Sequence, residues 1–172
     1  QEYAIRAVAE LKSRGLNVDL QCVGPVVEEG YDSEIRRLIR DLRVEDCVHL
    51  SGNANREEAQ AQMSRASVVV LPSMVENAPL VLSEAMAAGK AVVSTPAGGI
   101  PEMIQDGRDG IIVPFADSGA MADAIQSLLA QPDRRCAMAA AARETAEKRF
   151  RLSVSVEKTL AYYKSVLASK HA

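Results

Sequence analysis

The stretch from Ser67 to Gly89 constrains this chain more than any other. An apolar run, Ser67 to Pro72, gives way to a short polar turn, and a second apolar run, Leu80 to Ala88, follows directly after Pro79. The first run is short and β-branched, the mark of a buried strand. The second is too long for a strand and opens on a proline, whose fixed φ and missing N–H suit the first position of a helix. Because that helix is almost wholly apolar, it is expected to be buried on most sides. Two carboxylates interrupt the pattern: Glu84 inside the helix and Glu76 at the mouth of the turn. A buried carboxylate is costly unless something satisfies it, so this turn is where a ligand site is expected.

The rest of the chain repeats the strand-turn-helix theme. A helix is expected from Glu2 to Arg14, ended by Gly15, and a strand from Val18 to Val23 that runs into Gly24-Pro25. Glu28 to Gly30 reads as a polar loop and Ser33 to Leu42 as an amphipathic helix, with Ile35, Leu38, Ile39 and Leu42 on one face. A short strand, Cys47 to Leu50, closes on Ser51-Gly52-Asn53, and Arg56 to Arg65 reads as a polar helix with Ala59 and Met63 inward. After Gly89 come a strand from Ala91 to Ser94, the loop Thr95 to Gly99, a short helix from Ile100 to Gln105, and a last strand from Ile111 to Val113. Three helical stretches follow, Ser118 to Ala130, Asp133 to Phe150 and Ser153 to Ser169. The second is rich in alanine and suited to close packing on a neighbour.

Strands alternating with helices specify an α/β fold, a Rossmann-like parallel sheet covered by helices on both faces. Ligands of such sheets sit at the carboxyl ends of the strands. That rim carries Gly24-Pro25, Ser51 to Ala54, Pro72 to Asn77 and Thr95 to Gly99. With 172 residues, a chain can bury roughly 70% of its unfolded surface and needs no metal or disulfide staple. The net charge of −3 leaves no surplus of cations for nucleic acid. Cys22, Cys47 and Cys136 show neither metal-ligand spacing nor a disulfide framework, which points to a reducing, cytoplasmic setting.

The loop from Glu76 to Pro79 delivers the chain to a helix N-terminus, where free N–H groups and the helix dipole favour an anion such as phosphate. Pro79 has no N–H to offer, so Leu80 and Val81 are the expected donors. Glu76 and Glu84 repel phosphate but accept well from hydroxyls. A ligand with a central diphosphate and a sugar at each end satisfies both facts. Blander readings stand beside this one: Glu84 paired with a cation or reaching solvent, and Glu76 an exposed loop acid. Neither His49 nor His171 has zinc-ligand spacing, no nucleophile elbow is present, and Gly98-Gly99 lacks the spacing of a dinucleotide fingerprint.

Glu76 and Glu84, with seven residues between them in the pattern Glu-x7-Glu, resemble the signature of the group 1 (family 4) retaining glycosyltransferases of the GT-B fold. So do Leu71-Pro72-Ser73, Glu84-Ala85-Met86-Ala87, Gly89 to Thr95, Gly98 to Glu102 and Asp106-Gly107 through Gly110 to Val113. The likeness runs from Glu2 to about Tyr163. It implies a donor-binding C-terminal domain at 1–150, truncated at its N-terminus, with a C-terminal helix at 151–172. By that resemblance Glu76 is the catalytic-site residue and holds hydroxyls of the transferred sugar. Leu80 and Val81 hold the diphosphate, with Asn77 and Ala78 in the same loop. Glu84 accepts from the ribose, and Gly24, Gly52, Asn53 and Ala54 border the nucleotide. No metal and no other cofactor is implied, since a preorganised positive site meets the leaving diphosphate.

The sequence departs from the family in two places. Asn77-Ala78-Pro79 stands where relatives are rich in glycine, which removes one N–H donor. The resemblance implies that the family's first, central strand, its basic loop and the N-terminal acceptor domain are not among these 172 residues. A gap between strands is therefore expected, narrowed by collapse, filled by another segment or hidden in an oligomer. The donor in the full enzyme is expected to be an NDP-sugar, and the isolated stretch is expected to transfer no sugar. The resemblance leaves room for oligomers and for peripheral membrane association of a longer protein. The alternatives are a GT-B epimerase or phosphorylase relative, and a non-catalytic module that binds nucleotide or docks through its Ala-rich C-terminal helices.

Overall fold

A computed structural model of the chain describes residues 1–26 and 28–169; His171 lies outside them. Helix α1, Glu2–Ser13, buries Ala4, Ile5, Ala7, Val8 and Leu11, one stripe at three- and four-residue spacing. Strand β1, Leu20–Val23, leads to α2, Glu29–Leu42. Glu29 and Gly30, expected in a loop, belong to this helix, because Glu29 and Asp32 place negative charge in its first turn where the dipole favours it. Strand β2, Val48–Gly52, is followed by α3, Arg56–Arg65. A capping box fixes the start of α3: the Asn55 side chain accepts from the Glu58 amide, and the Glu58 carboxylate accepts from the Asn55 amide, both at 2.9 Å.

Strand β3, Val68–Leu71, then α4, Leu80–Ala87, and β4, Ala91–Ser94, form the centre of the chain. Pro79 is not the first helical residue but the N-cap, with ψ at 120°. A short helix α5, Ile100–Met103, and strand β5, Ile111–Ile112, precede three helices: α6, Ser118–Ala130, α7, Pro132–Arg149, and α8, Leu152–Ser169.

Among the described residues all strand pairs are parallel, and they form two sheets, β1–β2 and β3–β4–β5. Doubly wound sheets run 3-2-1-4-5-6. The two sheets correspond to positions 3-2 and 4-5-6, and among the described residues no strand stands between β1 and β3. The expected gap is present and is not closed by pairing of its edges. Leu20 of β1 and Val68 and Val70 of β3 nevertheless pack on one core with Ala4, Ala7 and Leu11 of α1 and Leu128 of α6.

Alternation along β4 shows how the three-stranded sheet is covered. Ala91 and Val93 face the α1–α6 core, while Val92 faces a second core with Leu82 and Met86 of α4 and Ala142 and Ala146 of α7. All four residues of β4 are buried, whereas β3, expected to be fully buried, is only half-buried. One of its edges has no neighbouring strand. The two-stranded sheet packs Val48 and Leu50 on Ile35 and Ile39 of α2, and Gln21, Val23, His49 and Ser51 alternate outward into solvent. His49 is an exposed strand residue 3.8 Å from Asp19.

Ala142 and Ala146 of α7 are buried against α4, while Ala137 and Ala140 of the same helix are exposed. Helix α8 carries several exposed apolar side chains, at Leu152, Val156, Leu160, Tyr163 and Leu167. No helix among the described residues is long and apolar enough to cross a membrane.

Candidate functional site

Among the described residues, two adjoining clefts lie at the carboxyl ends of the strands. The larger, of about 330 Å³, is bordered by Tyr3, Tyr31 and the segment Pro72 to Val75. The second, of about 260 Å³, is bordered by Cys22, Gly24, Pro25, Tyr31, Arg36 and Gly52. Gln1 and Tyr31 border both, so the clefts meet where the sheet divides. The Gly24 amide donates to the Gly52 carbonyl at 2.9 Å, which brings two of the expected nucleotide-bordering residues together. Asn53 and Ala54 follow Gly52 without bordering the cleft. Burial pushes the Cys22 thiol above its ordinary value and keeps it protonated. Arg36 is the cation of this cleft, and Asp32 at 2.7 Å already engages it.

Beside the larger cleft lies the turn from Ser73 to Pro79. Glu76 is half-buried, and its Oε1 accepts from the Ser73 hydroxyl at 2.7 Å. Asn77 and Ala78 are exposed. Helix α4 then begins without a side-chain cap. The Leu82 amide bonds back to the Pro79 carbonyl at 3.2 Å, and among the described residues the Leu80 and Val81 amides have no acceptor. Two unpaired N–H groups therefore stand on an uncapped N-terminus.

Glu84 departs from expectation. The helix is not buried on most sides, and Glu84 is exposed, with no ion pair or hydrogen bond among the described residues. Only Leu82, Ala85 and Met86 are buried. Leu80, 76% exposed, and Val81 join Glu84 on the open face. An eight-residue helix lying on one sheet has one face to bury, and here the other face turns outward although it is apolar.

The loop Thr95 to Gly99 borders neither cleft. It holds the Glu76 turn in place instead. The Gly99 amide donates to the Asn77 carbonyl at 2.7 Å. A Cβ on Gly98 would fall 1.8 Å from the Glu76 carbonyl oxygen, and one on Gly99 2.6 Å from that of Asn77. This approach of two backbones explains the glycine pair, which the sequence presented only as rim-loop composition and as part of the family pattern. Sequence reasoning also missed Tyr31, Arg36 and Ser73. Tyr31 was hidden by reading the start of α2 as a loop, whereas a serine three residues ahead of Glu76 was a legible signal. No cluster of three His, Cys, Asp or Glu side chains is present among the described residues.

Comparison with known proteins fits this geometry. The family model for glycosyl transferases group 1 matches residues 1–145. The chain is 30% identical over 165 residues to the alpha-D-kanosaminyltransferase of Streptomyces kanamyceticus, covering 96% of this chain and 42% of that protein. It is 36% identical over 138 residues to the D-inositol 3-phosphate glycosyltransferase of Corynebacterium kroppenstedtii, covering 78% of this chain and 31% of that one. The Anabaena protein HepE, solved in complex with UDP-glucose, matches with a TM-score of 0.86 at 26% identity, over 96% of this chain and 45% of its own. The chain thus spans less than half the length of these relatives. A family match over residues 1–145, which takes in both clefts and the Glu76 turn, together with the shared fold, places this chain in the group 1 glycosyltransferase family, as a C-terminal Rossmann-like domain of the GT-B fold.

Proposed function

We propose that the chain binds the nucleotide-sugar donor of a retaining glycosyltransferase, with residues 1–150 as the binding domain and the last helix appended to it. The observation that carries this reading is the uncapped start of α4, where the free Leu80 and Val81 amides lie between two carboxylates, Glu76 and Glu84. The amides and the helix dipole hold the diphosphate. Glu84, free of any partner, accepts from the two ribose hydroxyls, and the free oxygen of Glu76 accepts from the transferred sugar. Asn77 and Ala78 lie along the sugar and diphosphate. The backbone of Gly24, Gly52, Asn53 and Ala54 borders the base, beside Tyr31. HepE was solved with UDP and with UDP-glucose, which supports a nucleotide-sugar donor for this fold.

The chemistry assigned to these residues is binding, orientation and charge stabilisation. As the sugar departs, charge grows on the diphosphate, and fixed N–H dipoles meet it without a metal ion. Transfer also needs an acceptor-binding half, so the stretch alone binds donor without transferring sugar. Its three free thiols fit a cytoplasmic setting.

Calorimetric titration with UDP, GDP and ADP tests the reading. One of the three is expected to bind, and Glu84→Ala to weaken it by about tenfold to a hundredfold, the worth of a carboxylate accepting from hydroxyls. Equal affinity of wild type and variant would remove Glu84 from the site.

A further inference from the structure

We propose that Ser73, backed by Thr95, is a positioning residue that fixes the Glu76 carboxylate for the transferred sugar and so sets the preference for sugar-bearing over bare nucleotide. This rests on the assignment of Glu76 to the sugar. The Ser73 hydroxyl donates to Glu76 Oε1 at 2.7 Å. Among the described residues Oε2 has no donor, which leaves it for a ligand hydroxyl. A free glutamate side chain spends about 1.5–2 kcal/mol of rotamer entropy when it is ordered. Here much of that ordering is complete before any ligand arrives, and a preordered group adds more to affinity than a mobile one.

Ser73 can do this because its own backbone is fixed. Its carbonyl accepts a short hydrogen bond from the hydroxyl of Thr95, a side chain only 1% exposed. One residue earlier, the Ser94 hydroxyl donates to the Leu71 carbonyl at 3.0 Å. Beyond Glu76, the Asn77 carbonyl accepts from the Gly99 amide. The turn that bears Glu76 is therefore tied on both sides to the segment after β4. That segment borders neither cleft, so its influence on a ligand runs through the turn that bears Glu76. The tie at Thr95 is buried and the one at Ser73 is at the rim, which places the two hydroxyls in series.

The test is titration calorimetry on the 172-residue chain, with UDP and UDP-glucose, GDP and GDP-mannose, and ADP and ADP-glucose, using the pair that wild type binds. Ser73→Ala is expected to weaken the sugar conjugate about tenfold more than the bare nucleotide, the worth of one charge-assisted hydrogen bond. Ser73→Thr, which keeps the hydroxyl, is expected to restore the sugar conjugate's advantage. Thr95→Val is expected to give a smaller loss, and none when added to Ser73→Ala. A thermal melt checks that each variant is folded. If Glu76→Gln removes the sugar's advantage and Ser73→Ala does not, the positioning role is wrong and the donor-site reading survives. If Ser73→Ala weakens bare and sugar-bearing nucleotide alike, its role is structural and the proposal is overturned. If wild type binds no member of any pair, the donor-site reading falls and this inference with it.

Discussion

Gly98→Ala is expected to destabilise the chain by about 3–5 kcal/mol, a large share of the roughly 5–15 kcal/mol available to a domain. Two effects add. Gly98 has φ at +52°, where a residue with a Cβ is strained by about 1–2 kcal/mol. The added Cβ would also fall 1.8 Å from the carbonyl oxygen and 2.6 Å from the carbonyl carbon of Glu76. Both are backbone atoms, so no rotamer change relieves the overlap. The β3–α4 turn has to move, and it is held by the Gly99–Asn77 and Thr95–Ser73 bonds. Gly107 supplies the control: its φ is +77°, but a Cβ there meets nothing within 4 Å. Gly107→Ala is expected to show the conformational cost alone. Urea denaturation midpoints at unchanged m-value separate the two, and equal shifts for both variants would contradict the close approach.

A second large effect is expected from Asp109→Ala, a loss of about 2–5 kcal/mol from two stranded donors. Asp109 is 1% exposed and ties the loop before β5 to α7. One carboxylate oxygen accepts from the Gln105 amide and the other from the Thr145 hydroxyl, both at 2.7 Å. Arg108 lies 3.9 Å away and is half in solvent, so the two hydrogen bonds satisfy most of the buried charge. Asp109→Asn keeps the shape and one acceptor, and the Thr145 hydroxyl can turn to accept from the new amide. That variant is expected to cost no more than about 1 kcal/mol. The same urea titrations measure both, and an asparagine variant as damaged as the alanine would show that the charge itself matters.

How much of this was legible depended on the reach of each contact. Helices α3 and α6 begin and end where the sequence placed them, because their caps are local: Asn55 with Glu58, and Asp117 accepting from the Ala120 amide. The free Leu80 and Val81 amides were legible for the same reason, since a proline and its two neighbours decide them. The start of α2 was not, because a glycine at position 30 outweighed the acidic first turn. Glu84 was misplaced for a different cause. An apolar run reports which side chains prefer to leave water, and it does not report that an eight-residue helix has only one covered face. The supports of Glu76 were beyond sequence reasoning altogether. Thr95 meets the Ser73 carbonyl across 22 residues, and Gly98 meets Glu76 only because β3 and β4 pair in the register Leu71 to Ser94. The glycines were visible, but their partner across the fold was not.

The central claim is that a nucleoside diphosphate seats on the start of α4. Heteronuclear NMR of the chain, titrated with UDP, GDP and ADP and with the matching nucleosides, tests it most directly. For the diphosphate that binds, the Leu80 and Val81 amide resonances are expected to shift most and downfield, as new charge-assisted hydrogen bonds require, with smaller changes at Gly24 and Gly52. The matching nucleoside is expected to move Gly24 and Gly52 and to leave Leu80 and Val81 unchanged. Diphosphate binding that leaves the Leu80 and Val81 resonances in place would contradict the account.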